Sequence, residues 1–316
     1  MATARASIAQ RGTQNQSFIA TLRANNIITN NISFASSNNT VAINVGVQGA
    51  SNYGQGTFAV AIGSNAGLSN QGEYSIAIGT ESGSTGQGSQ SIAIGIGAGN
   101  REQGNRAVAI GYQAGYTNQQ ETSVAIGYQT GYNYQHSQSV AIGYQAGYSS
   151  QQSQSVAVGY QAGYTNQDNQ AVAIGDRAGY SNQEYFTVAI GSAAGQCNQY
   201  SGAVAIGGAS GNRNQGPNAT AVGPASGTFN QKIEAVAIGA AAGYDSQGTQ
   251  AVAIGENAGR LNQGSKSTAI GHFAGNDTQN QYATAIGDGA GQVVQKQYAT
   301  AIGEGSGLIN QGQYAV

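Results

Sequence analysis

The sequence predicts an all-β fold, a parallel β-roll or β-solenoid of sixteen 16-residue coils, and three observations predict it. A sixteen-residue repeat runs without insertion or deletion from Val60 to the C-terminus, glycine holds two fixed positions of every copy, and a short β-branched run opens each copy. With 50 Gly, 2 Pro, no Trp and 8% charged residues in 316, the composition is not that of an ordinary globular enzyme. Richness in Gly, Gln, Asn, Ser and Tyr also marks low-complexity segments, but those tolerate sliding register. An unbroken period argues instead for stacked coils, where one extra residue would turn every inward side chain outward.

Taken in chain order, residues 1–40 read as an N-terminal docking or attachment segment; Arg5, Arg11 and Arg23 precede the first acidic residue, Glu73, and the bland reading of that bias is solubilisation. The stretch lacks the continuous apolar core of a signal peptide, and no later stretch is apolar enough to span a membrane, so neither export signal nor anchor is expected. Residues 41–58, with "VAINVGVQGASNYGQG" from Val41, read as a transition coil or cap, an imperfect copy one residue out of register. Residues 59–316 are the shaft.

Within the shaft, with Val60 as position 1, position 4 is always Gly (Gly63, Gly111, Gly127), position 8 always Gly (Gly67, Gly115, Gly131) and position 12 always Gln (Gln71, Gln119, Gln135). The run from position 16 to position 4, as in "SVAIG", reads as a strand. Its small face, with Ala at position 2, meets the small residue at position 7 of a second segment across a thin roll. Its large face, Val108 and Ile110, Val124 and Ile126, Val140 and Ile142, has no cover within the coil. Neither face is polar, so the strand expects burial on both sides, and the economical cover is the same stripe on another copy. Glycine at positions 4 and 8 permits bends with positive φ or close backbone approach. Glutamine at position 12 is expected to ladder its amides from coil to coil at the turn, about 4.8 Å apart.

The strand motif "SVAIG" at 123–127 and 139–143, with "AVAIG" at 59–63 and 107–111, resembles the head repeat of YadA-type trimeric autotransporter adhesins. Related "AIGYQAG" repeats are similar to those of phage and large-virus tail fibres and surface proteins. The resemblance implies a left-handed parallel β-roll wound as a homotrimer, with a role in surface attachment. It makes the expected partners copies of the same chain, a particle or capsid protein at the N-terminal end, and a host receptor or glycan. It makes the expected location a virion surface or, failing that, a cell surface. A net charge of −2 gives no electrostatic reason to expect nucleic acid or membrane as partner.

Catalytic chemistry finds little purchase, and no cofactor or metal is expected. His136 and His272 lie in distant coils, and the glycine spacing belongs to the repeat. Cys197, the single cysteine, excludes an intrachain disulfide and is expected in a loop as a free thiol. Glu256, His272, Asp288 and Glu304 share position 5 in four successive coils and form a column suited to a cation or paired carboxylates, although a solvated column is the simpler reading. Tyrosine fills position 5 at Tyr112, Tyr128, Tyr144 and Tyr160, and position 9 at Tyr116, Tyr132, Tyr148, Tyr164 and Tyr180. Two ladders are expected, suited to stacking on sugars or proteins, with mutual support of neighbouring rungs as the plainer role. Threonine at position 1 occurs only at Thr220, Thr268, Thr284 and Thr300, thin support for an ice-binding face.

Overall fold

The computed structural model describes residues 41–43 and 54–316. The docking segment expected at 1–40, and residues 44–53 of the expected cap, lie outside them. Every described element is a three-residue strand or a tight turn, and the strands pair in parallel with a step of one coil. A 17-stranded sheet collects positions 1–3 of successive coils, from Val41–Ile43 to Thr300–Ile302. Its register is the repeat itself: Val108 faces Val124, Ala109 faces Ala125 and Ile110 faces Ile126. A second wall collects positions 10–12, as a nine-stranded sheet from Thr85–Gln87 to Arg213–Gln215 and a three-stranded sheet from Asp277–Gln279 to Ile309–Gln311. Single bridges through Phe229, Asp245 and Leu261 connect the two.

The turns are hydrogen-bonded as fully as the strands. Around the coil that begins at Val124, the amides of Gly127, Gln129, Gly131, Asn133, His136 and Gln138 donate to carbonyls of neighbouring coils at 2.8–3.1 Å, and the Val124 amide donates to the carbonyl of Ser139 at the coil's end at 2.9 Å. A backbone satisfied around its whole perimeter has no loop in which an extra residue can be absorbed. That explains the unbroken period.

Bending a chain this sharply takes five left-handed residues per coil. In the same coil they are Gly127 (φ 132°), Gln129 (48°), Gly131 (54°), Tyr134 (54°) and Gln138 (61°), at positions 4, 6, 8, 11 and 15. Glycine is required where space is also short. A Cβ on Gly159 would sit 2.5 Å from the Gly175 carbonyl oxygen, and one on Gly131 would sit 2.6 Å from Oε1 of Gln135. Positions 6, 11 and 15 open outward and take other residues. Asparagine, which tolerates this conformation best after glycine, fills position 11 in nine of sixteen coils.

The interior is thin and nearly all small. In one coil Ala125, Thr130, Gln135 and Ser139 are 0% exposed. Position 12 is the largest buried side chain in coil after coil. Its place corrects the expectation of a glutamine at the turn: the side chain crosses the interior, because the roll needs one long residue to span it. Nε2 of Gln119 donates to the Val108 carbonyl at 2.8 Å and to Oε1 of Gln135 at 3.1 Å, and Gln135 repeats the pattern with Val124 and Gln151. The bond to the strand carbonyl fixes each amide's orientation, leaving the oxygen to accept from the previous coil. The ladder runs from Gln103 to Gln167 and from Gln183 to Gln311; the oxygens of Gln71, Gln87, Gln103 and Gln183 are without a partner. Serine at position 16 satisfies itself, as Ser139 does by donating to the His136 carbonyl at 2.6 Å.

Two further expectations are corrected. Cys197 is not in a loop: it opens the strand Cys197–Gln199, paired with Ser181 and Arg213, and is a half-buried free thiol. Position 10 is a sheet position in every coil that keeps the second wall. The copy before the shaft is not one residue out of register. Val41 pairs with Val60, a step of nineteen, while Gln55 bridges Gln71 in the ordinary step of sixteen. The three extra residues therefore fall between Ile43 and Gln55.

Candidate interaction surfaces

With the interior filled by alanine and glutamine, the large side chains of the first sheet face outward. Alternation along Val124–Ile126 leaves the first and third residues half-buried and hides only Ala125. Val108, Ile110, Val124, Ile126 and Val140 are half-buried, and Ile142 is 37% exposed. They form one continuous aliphatic stripe, two residues wide, that stays half-buried to exposed among the described residues. Contiguous apolar surface of this kind is uncommon on soluble monomers.

The tyrosines stand in two outer columns. At position 5, Tyr112, Tyr128, Tyr144 and Tyr160 stack with ring centroids 5.0–5.1 Å apart and lie 42–50% exposed. At position 9, Tyr116, Tyr132, Tyr148, Tyr164 and Tyr180 stack at 4.9–5.1 Å and are half-buried. Burial, and next the neighbouring tyrosines, push the Tyr132 and Tyr164 hydroxyls above the ordinary phenol value, because a phenolate there would lose water and face its neighbours' charge. A third column at position 15, Tyr282, Tyr298 and Tyr314, stacks at 5.1 Å. Sequence reasoning missed it, although tyrosine at three successive copies of one position was the signal.

Of the column Glu256, His272, Asp288 and Glu304, all four are exposed, and only one pair meets, His272 Nδ1 with Asp288 Oδ1 at 3.0 Å. Among the described residues no three His, Cys, Asp or Glu side chains converge as a metal site. No helix among them is long and apolar enough to cross a membrane.

A furrow runs along the second wall, between positions 11 and 13. On one side the asparagines at position 11 form an amide ladder, Asn166 to Asn182, Asn198, Asn214 and Asn230, at 3.0–3.2 Å. On the other side position 13 changes character. It is Gly at Gly72, Gly88, Gly104, Gly216, Gly248 and Gly264, but Gln152, Asp168, Glu184 and Tyr200 in the middle of the shaft. There the two sides flank an open trough of about 280 Å³.

Residues 71–98 match the YadA head domain repeat, in two copies. They carry the strands Ile76–Ile78 and Ile92–Ile94 and the core glutamine Gln87. These residues are similar to YadA-type head repeats. No curated protein and no solved structure matches the chain.

Proposed function

We propose that the chain is a non-enzymatic surface-attachment rod, in which three copies pack their Val/Ile stripes together and present the outer columns to a partner. The observation that carries this reading is the Val/Ile stripe left partly exposed among the described residues, from Val60 and Ile62 to Thr300 and Ile302, on a roll whose buried hydrophobic side chains are all alanine. Burying alanine contributes far less than burying valine or isoleucine, so much of the available hydrophobic stabilisation lies outside the single chain. The choice of three copies over two is supported by the likeness of residues 71–98 to YadA head repeats, since that resemblance implies a trimer. The same repeats favour a cell-surface or extracellular adhesin-like head. A fibre or spike on a virus or phage particle is the narrower reading, supported by the likeness of the AIG/AG repeats to such fibres, and it adds a capsid or particle protein as a partner of the N-terminal segment. Mass photometry of the purified full chain tests the assembly: trimers are expected, and a stable soluble monomer overturns the shared stripe.

A further inference from the structure

We propose that the furrow on the second wall, between the ladder Asn166–Asn182–Asn198 and the wall Asp168, Glu184 and Tyr200, is a binding site for a neutral oligosaccharide. The site is built by one chain, so it stands whether or not the stripe assembles into a trimer.

Its shape comes first. The space of about 280 Å³ falls just short of ordinary ligand sites, which run from about 300 Å³ upward, and it is an open trough, not a closed cavity. The same furrow reopens between the columns at 102–137, so an extended chain lying along the rod axis fits it better than a compact molecule.

Its chemistry comes second. Each asparagine inside the ladder spends one N–H on the next coil and accepts one from the previous coil. An amide has two N–H groups and two lone pairs, so each keeps one donor and one acceptor for a ligand. A donor beside an acceptor, repeated at each coil from Asn182 to Asn214, complements the hydroxyls of a sugar chain. The carboxylates are fixed but not exhausted. Asp168 accepts from the Asn169 amide and side chain through Oδ1, and Glu184 accepts from the Ser201 amide and hydroxyl through Oε2 at 3.0 and 2.7 Å. Asp168 Oδ2 and Glu184 Oε1 remain to accept from sugar hydroxyls. Tyr200, 42% exposed, closes the row with a ring face on which the apolar side of a pyranose can stack.

The alternatives fail on the same residues. Two carboxylates without a facing cation repel sulfated, sialylated or phosphorylated ligands, nucleic acid included. An extended peptide would need a free strand edge, and the strands along the furrow are paired on both sides.

The test is a panel of immobilised neutral oligosaccharides (glucan, mannan, galactan and N-acetylglucosamine chains) beside sialylated and sulfated ones, probed with the full chain and followed by calorimetry on the retained sugars. Two variants remove function without touching the interior: Tyr200→Ala removes the platform, and Asn182→Gly removes the amide at φ 54°, which glycine adopts freely. Binding to at least one neutral chain is expected, weakened about tenfold or more by each variant, with the melting temperature unchanged; tenfold is the loss of roughly one good stacking or charge-assisted contact. Glu184→Gln is expected to admit anionic sugars that the native chain rejects. No neutral ligand down to millimolar affinity, a preference for anionic glycans, or full binding by both variants would each overturn the proposal.

Discussion

The coils from Val108 to Thr187 and those from Thr220 to Gly303 share an interior and differ in almost everything outside it. Both have buried alanine at position 2 and a glutamine ladder at position 12. The middle coils carry valine throughout position 1 and both tyrosine columns; the C-terminal coils substitute threonine at Thr220, Thr268, Thr284 and Thr300 and have neither column at full length. The coil forms equally in both regions, so the tyrosines are not what folds it. The interior sets the geometry, and the exterior is where one stretch of rod can be made to differ from another.

The largest effect should separate the two regions through the stripe. Ile126→Asp places a carboxylate between Ile110 and Ile142, on the face that also carries Val124, and in the proposed seam between copies it would be buried. Loss of about 4 kcal/mol per protomer is expected, the cost of an uncompensated buried charge. Ile286→Asp is likewise flanked by Ile270 and Ile302, but its strand neighbour on the same face is Thr284, paired with Thr300; with hydroxyls in place of valines beside it, it should cost about half as much by the worth of such hydrogen bonds. Thermal unfolding with light scattering reads both. Equal losses, or none, would mean that the stripe is not one buried seam of graded polarity.

The next effect should abolish the difference. Gly159→Ala and Gly255→Ala each add a Cβ at positive φ, 2.5 and 2.6 Å from the carbonyl oxygen of the next coil. Each should destabilise by about 3 kcal/mol, and the two should agree within about 0.5 kcal/mol, as distant equivalent sites do. Denaturant unfolding that shows one site tolerant would deny the regions a common interior.

This division also explains what the sequence made legible. The coil, its parallel register and the outward Val/Ile stripe can be read from letters that never change, since a position such as Gly63 or Ala61 repeats because every coil makes the same demand. Gln135 was visible as invariant but misplaced at a turn, because composition does not say that the roll is so thin that only a long amide spans it. The left-handed residues at Gln129, Tyr134 and Gln138 were hidden, because nothing clashes there and the position accepts many side chains. Only the excess of asparagine at position 11 pointed to one of them. The furrow was hidden for a related reason: Asn182 and Glu184 are unremarkable within their own coil and become a site only when Asn166, Asp168, Asn198 and Tyr200 stack beside them.

A smaller effect isolates the tyrosine columns. Tyr148 stacks on Tyr132 and Tyr164 at 5.1 and 4.9 Å, and Tyr148→Ala should cost about 1 kcal/mol from two lost ring contacts. Gln292 holds the same position in the C-terminal region, where Gln292→Ala should stay within about 0.5 kcal/mol of the parent. Oligomeric state should be unchanged in both. A change of assembly in the first would move the position 9 column from an outer face to an interface.

The smallest effect is in the alkaline limb of stability. Tyr132 and Tyr164 have hydroxyls raised above the ordinary 10.0, mainly by burial and then by the facing tyrosines. The folded chain therefore holds these protons more tightly than the unfolded chain does. Below about pH 10, the ordinary tyrosine value, both states are protonated and the stabilisation is fully present. As pH climbs past that point the unfolded state releases its protons first, and the folded state loses its advantage. Tyr148→Phe keeps the stack but removes the phenol between the two, so it should lower their titration part of the way while burial holds the rest up. Tyrosinate absorbance and melting temperature, followed together from pH 9 upward, check this. If Tyr132 and Tyr164 titrate like free tyrosine, or if melting is flat through the transition, then the half-buried column at position 9 is as open to water as the exposed one at position 5 and the distinction between the two ladders falls.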